Sequence, residues 1–154
     1  MVTRNPLELP TVGRLLALDV GEKRVGVALC DSGRRVGAAR GIWPRPWAEL
    51  KVKIKAEAAN GIVAVVLGEP LNMDGSIGPM ATAVRSLADL IEKELGLPVL
   101  LWDERLTSRQ MESAFFEQRQ GRETRGSKRD SVGHMDAGAA VVILQGVLDS
   151  FRRF

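Results

Sequence analysis

Asp19 places a carboxylate inside a run, Leu15-Leu16-Ala17-Leu18-Asp19-Val20, that otherwise reads as a buried β-strand. Gly21 follows, then Glu22-Lys23-Arg24, and a second apolar run extends from Val25 to Cys30. This spacing predicts a tight hairpin with Asp19 where the first strand runs out. A buried charge without a partner is costly, so such an acid calls for a cation or hydrogen-bond donors beside it. A metal ion held there, close to Lys23 or Arg24, would make a place to hold phosphate. The competing reading is a turn aspartate whose side chain accepts from nearby backbone N–H groups.

Other acids share the pattern. Asp136, Ala140, Ile143 and Val147 repeat at steps of four, three and four, the stripe by which a closing helix faces its sheet. An acid in the first turn of that stripe could simply answer the helix dipole, but Asp130 fills that role more naturally. Asp103-Glu104 directly follows the apolar run Val99-Leu100-Leu101-Trp102, and groups at the carboxyl ends of strands line the usual crevice of open α/β sheets. Asp19, Glu104 and Asp136 could therefore converge. Hard oxygen donors suit Mg²⁺ or Mn²⁺ and do not suit zinc. Two such ions about 4 Å apart can activate water and stabilise a leaving oxygen, with no protein nucleophile required. Glu69, after another buried run, is either a further ligand or a solvated loop acid. His134 reads as a structural or phosphate-side hydrogen-bonding group rather than a general base.

The elements that would position these residues alternate after an opening set of strands. Arg14 to Asp19 and Arg24 to Cys30 form the hairpin, and Val36 to Trp43 reads as a third, weaker strand. Pro44 and Pro46 open a helix that Gly61 ends. Ile62 to Leu67 is a β-branched run expected in the middle of a sheet. Val84, Leu87, Ile91 and Leu95 give one apolar face to a helix from Met80, stopped by Gly96-Leu97-Pro98. Val99 to Trp102 is the fifth strand, Thr107-x-x-Gln110 has capping-box spacing for a short helix, and a last helix spans about Asp130 to Phe151. The expected architecture is an α/β sandwich: a mixed five-stranded sheet, its first three strands antiparallel, with helices on both faces. Residues 1–13 are expected as a loose tail and 14–151 as one domain.

Composition narrows the function classes. A chain of 154 residues with 45% hydrophobic residues can bury a core without staples. Its single cysteine, Cys30, excludes an internal disulfide and a cysteine-rich zinc site. No apolar run approaches the roughly 18 residues of a membrane span, and Met1 to Gly13 lacks the apolar segment of a signal peptide, so a cytoplasmic protein is expected. The net charge of +3 is modest. Its distribution says more: Arg119, Arg122, Arg125, Lys128 and Arg129 crowd a Gly/Ser-containing stretch, a pattern of phosphate-backbone contacts or of a solvated segment.

Four ordered blocks are then recognisable. Leu18-Asp19-Val20-Gly21-x-x-Arg24-Val25-Gly26-Val27-Ala28 resembles the opening of the YqgF/RuvX family of Holliday junction resolvase-like proteins and precursor ribosomal RNA nucleases. Gly68-x-Pro70-Leu71-Asn72-Met73-Asp74-Gly75 resembles its second block, Asp103-Glu104-Arg105-Leu106-Thr107-Ser108 its third, and Asp136-Ala137-x-Ala139-Ala140-x-x-Ile143-Leu144-Gln145 its last. The resemblance spans about Leu15 to Leu148 and implies a ribonuclease H-like fold. It also implies Mg²⁺- or Mn²⁺-dependent phosphodiester cleavage, with Asp19, Glu104 and Asp136 as catalytic, metal-holding acids. The implied task is maturing the 5′ end of pre-16S ribosomal RNA, possible contact with the ribosome included, and the alternative is cleavage of branched DNA. Lys23, Arg24, Arg105, His134 and the basic residues from Arg119 to Arg129 would then supply nucleic-acid affinity. One departure stands out: the family usually has a small or apolar residue where this chain has Glu69.

Two other classes compete. An actin- or sugar-kinase-type phosphotransfer domain also opens with an Asp-x-Gly hairpin, but needs a second such domain around its nucleotide. A non-catalytic RNA-binding module would dispense with the acids, and this chain keeps them.

Overall fold

Leucine-rich and β-branched runs become strands close to the predicted places. The computed structural model describes residues 1–106 and 137–152. In chain order these form β1 (Val2–Thr3), β2 (Arg14–Val20), β3 (Arg24–Cys30), β4 (Gly37–Pro44), α1 (Trp47–Ala59), β5 (Ile62–Glu69), α2 (Pro79–Leu95), β6 (Val99–Asp103) and α3 (Gly138–Phe151). Short 3-10 turns at Pro6–Glu8 and Glu104–Leu106 complete them.

The strands make one mixed sheet of order β1-β6-β5-β2-β3-β4. β2, β3 and β4 are antiparallel neighbours, whereas β2–β5, β5–β6 and β6–β1 pair in parallel. The sheet therefore has six strands, which corrects the expected five. The added strand comes from the segment expected as a tail: Val2 pairs with Val99 and Thr3 with Leu100. Two residues cannot carry a period-2 pattern, so the sequence gives no warning of it. The same segment buries Leu9 and ties its terminal amino group to Glu92 at 3.2 Å.

Two hydrophobic cores sandwich the sheet. Leu50 and Ile54 of α1 and Val84, Ala88 and Ile91 of α2 pack on Leu16, Leu18, Val65, Leu67 and Leu101. On the other face, Ala140, Ile143, Leu144 and Val147 of α3 pack on Leu15, Ala17, Val66, Leu100 and Trp102. Side chains alternate between faces along each strand. Leu18 faces α1 and α2, so Asp19 faces the α3 side; by the same count Gly68 faces α3 and Glu69 faces α2.

α2 begins at Pro79 and ends at Leu95, capped by Gly96, whose φ of 68° is the left-handed conformation of a helix C-cap. α3 begins at Gly138, with Ala137 in a turn just before it, and the expected start near Asp130 lies outside the described residues. Its stripe of Ala140, Ile143 and Val147 faces the sheet as the spacing predicts.

Candidate active site

Two carboxylates meet at the carboxyl end of the sheet, on the α3 side. Asp19 lies one position past the Leu18–Leu67 pair of the β2–β5 ladder and opposite Gly26 in the hairpin. Glu104 opens the 3-10 turn after β6. Its carboxyl folds back over Gly68, the next residue of β5 after Leu67: a Cβ on Gly68 would stand 2.5 Å from Glu104 Oε1 and 2.5 Å from Ile143 Cδ1. Only a residue without a side chain leaves that seat open.

The seat is electrostatically strained. Burial pushes the Glu104 carboxyl up to about 7, and the negative charges of Asp19 and Asp103 push it the same way. Desolvation and like charge both disfavour the ionised form. Asp103 itself is held low, first by the side chain of Arg105. The Arg105 backbone N–H and Nε donate to Asp103 at 2.9 and 3.1 Å, and Nη2 donates to Oδ2 at 2.8 Å. Arg105 Nη1 also donates to the carbonyls of Asn72 and Met73 at 3.3 Å, clamping the loop after β5 to the end of β6. That loop closes on itself: Ser76 donates through its N–H and hydroxyl to Asp74, and Gly75 N–H donates to the Asn72 carbonyl.

The hairpin turn beside Asp19 is fixed from outside. Gly21 N–H donates to the Arg24 carbonyl at 2.8 Å, and Arg45 Nη1 donates to the carbonyls of Gly21 and Glu22, each at 2.8 Å. Lys23 and Arg24 remain exposed on this turn.

Residues 13–150 match the family described as RuvX: Holliday junction resolvase. The chain belongs to this family. A relative from Novosphingobium aromaticivorans, named "Putative pre-16S rRNA nuclease", is 40% identical over 97% of this chain and 96% of its own length. A relative of the same name from Acidiphilium cryptum is 43% identical over 92% of this chain and 87% of its own. Among solved structures, YeaZ from Pseudomonas aeruginosa aligns with 68% of this chain and 49% of its own at 22% identity and a TM-score of 0.40.

Of the acids singled out in the sequence, the fold brings Asp19 and Glu104 together and sends Glu69 elsewhere. Glu69 is 1% exposed on the α2 face. Arg4 Nη2 donates to its Oε2 at 2.9 Å, and Arg85 Nε donates to the same oxygen at 2.6 Å. Its other oxygen, Oε1, accepts from Arg4 at 3.3 and 3.4 Å. Asp136, His134, Arg119, Arg122, Arg125, Lys128 and Arg129 lie outside the described residues. Among the described residues no group of three or more His, Cys, Asp or Glu side chains stands close enough to hold a metal ion. Asp19 and Glu104 nonetheless fit a hard divalent cation: both are oxygen donors, their repulsion is relieved by positive charge, and Gly68 leaves room for the carboxyl to turn inward.

Sequence reasoning missed Gly68, Arg45, Arg4 and Arg85. A glycine ending a buried β-branched run is a sign of close approach and could have marked the seat. Arg85, four residues after Ala81 on the inward side of α2, was a weaker sign.

Proposed function

We propose that this chain is a divalent-metal-dependent endonuclease that hydrolyses phosphodiester bonds in structured nucleic acid, acting in 5′-end maturation of pre-16S ribosomal RNA. The carrying observation is the Glu104 carboxyl seated on Gly68 beside Asp19. Family membership and the names of the relatives support the same reading. We assign the mixed sheet, with its antiparallel β2–β3–β4 half, to the ribonuclease H-like class.

Asp19 and Glu104, joined by Asp136, would hold Mg²⁺ or Mn²⁺. Such an ion supplies activation of water and charge relief at the leaving oxygen. Asp19 presents its oxygens from the end of a rigid central strand. Glu104, with a pKa of about 7, can keep or release a proton at its carboxyl near neutral pH. Arg105 keeps Asp103 turned to itself and the loop fixed, so the wall of the site does not move with the substrate. Lys23 and Arg24 stand on the turn beside Asp19, where they attract phosphate. His134 and the basic stretch from Arg119 to Arg129 would add affinity in this reading.

No helix of the described residues is long and apolar enough to cross a membrane; we place the protein in the cytoplasm, where its proposed ribosomal substrate is made. The family description favours a second substrate, branched DNA. Purified protein incubated side by side with precursor rRNA and a four-way DNA junction, with Mg²⁺, Mn²⁺ or neither, tests both. Metal-dependent cleavage of the RNA at its 5′ side is expected; cleavage of the junction alone transfers the function to DNA, and cleavage of neither overturns it.

A further inference from the structure

Glu69 poses a problem that the nuclease reading does not solve. A carboxylate 1% exposed is balanced by two guanidinium groups rather than one, leaving an excess of one positive charge. A staple between β5 and α2 would need only Arg85. Arg4 reaches in from beyond β1, outside the residues 13–150 that match the family description, and its side chain stays 57% exposed while that of Arg85 is 37% exposed. Both arginines spend only part of their donors. Among the described residues, Nη1 of Arg4 and both terminal nitrogens of Arg85 have no acceptor.

Their location gives these donors a use. Glu69 lies opposite Asp103 in the β5–β6 ladder, at the same carboxyl end of the sheet as Asp19 and Glu104 but on its α2 face. β5 is flanked by β2 and β6, so Glu69 ends the strand between the one that carries Asp19 and the one that leads into Glu104. A strand laid across the sheet end would pass from one cluster to the other.

We propose that Arg4 and Arg85, oriented by Glu69, form a shelf that binds backbone phosphate of the nucleic acid next to the cleaved bond. Glu69 is thus a positioning residue, and its buried charge holds two flexible side chains in one arrangement. Planar guanidinium groups fixed in this way suit phosphate oxygens better than freely moving lysines. The proposal rests on the nuclease reading for its ligand but adds Arg4 and Arg85, which lie outside the four sequence blocks quoted above.

The test is binding of a fluorescent single-stranded precursor rRNA fragment in EDTA, where nothing is cut, across a series of KCl concentrations. Arg4→Gln and Arg85→Gln are each expected to weaken binding about three- to tenfold. Each should flatten the slope of log affinity against log salt by about 0.7, the contribution of one single-strand phosphate contact. With metal restored, KM should rise while kcat at saturating substrate stays within about twofold. Arg85→Lys keeps a charge there and should hold the slope near the native value. If Arg85→Gln fails to fold, the paired change Glu69→Met with Arg85→Met removes both charges together, and the flatter slope is still expected. Variants that melt earlier but keep the native slope overturn the shelf and reduce the cluster to a staple. The two readings fail separately: a native protein that binds with a steep slope yet cuts no substrate sinks the nuclease and leaves the shelf. A nuclease whose Arg4 and Arg85 variants bind normally does the opposite.

Discussion

Glu69, at the end of β5, and Glu104, in the turn just past β6, stand at the same end of one sheet, and their surroundings are opposite. Glu69 is fully buried and over-compensated, with two arginines on one carboxylate. Glu104 is half-buried among acids, and its carboxyl is pushed up to about 7 by burial, Asp19 and Asp103. Folding stability rewards the first arrangement and is taxed by the second. In the function proposed above, the contrast separates a carboxylate that organises its neighbours from one kept ready for a cation, and neither burial nor sequence position alone would have told them apart.

The sharpest way to break the contrast is at the acidic pole. Asp19→Asn should lower metal-dependent cleavage by about 10³-fold or more, roughly 4 kcal/mol of transition-state stabilisation, while the metal-free protein melts no earlier than the native one. Steady-state cleavage beside a thermal melt decides it; retained cleavage would mean that Asp19 is only a turn residue. At the compensated pole the effect should fall on stability and on binding rather than on the chemical step. Arg85→Ala should cost about 2 kcal/mol in denaturant unfolding, less than the 3–5 kcal/mol typical of breaking a fully buried pair, because Arg85 is partly exposed and Arg4 remains.

Gly68→Ala touches the seat itself. A new Cβ 2.5 Å from both Glu104 Oε1 and Ile143 Cδ1 must displace both, for about 1–2 kcal/mol of stability and a loss of cleavage that exceeds the change in substrate binding. Equal losses in both would show that Glu104 is not held by this contact. The smallest effect is a pH dependence. Because the folded-state pKa of Glu104, about 7, lies above its ordinary 4.5, the folded protein binds that proton more tightly. Its contribution to stability is therefore complete below about pH 4.5 and lost as pH rises through about 7. Metal-free melts from pH 5 to 8 should slope downward, and Glu104→Gln should flatten that slope; an unchanged slope would place the titration elsewhere.

The sequence was most legible where periodicity was long. The runs Leu15–Val20 and Ile62–Leu67 named their own strands, and the Ala140, Ile143, Val147 stripe named the inward face of α3. Asp19 was visible because an acid interrupts an apolar run, and Glu104 because it follows one. The pairing of Glu69 was hidden for a plain reason: its partners lie 65 and 16 residues away on elements whose packing no local pattern encodes. Strand β1 was hidden by brevity, and the seat on Gly68 because it depends on a side chain from the turn after β6 curling back.

Pairing of Val2 and Thr3 with β6 has a consequence for synthesis. Val2 and Thr3 cannot find their place until Val99 and Leu100, nearly a hundred residues later in the chain, have followed them from the ribosome. Until then Val2 and Thr3 have no partner strand, so this margin is the last part of the sheet to close and the natural point of capture for a chaperone or a second nascent chain.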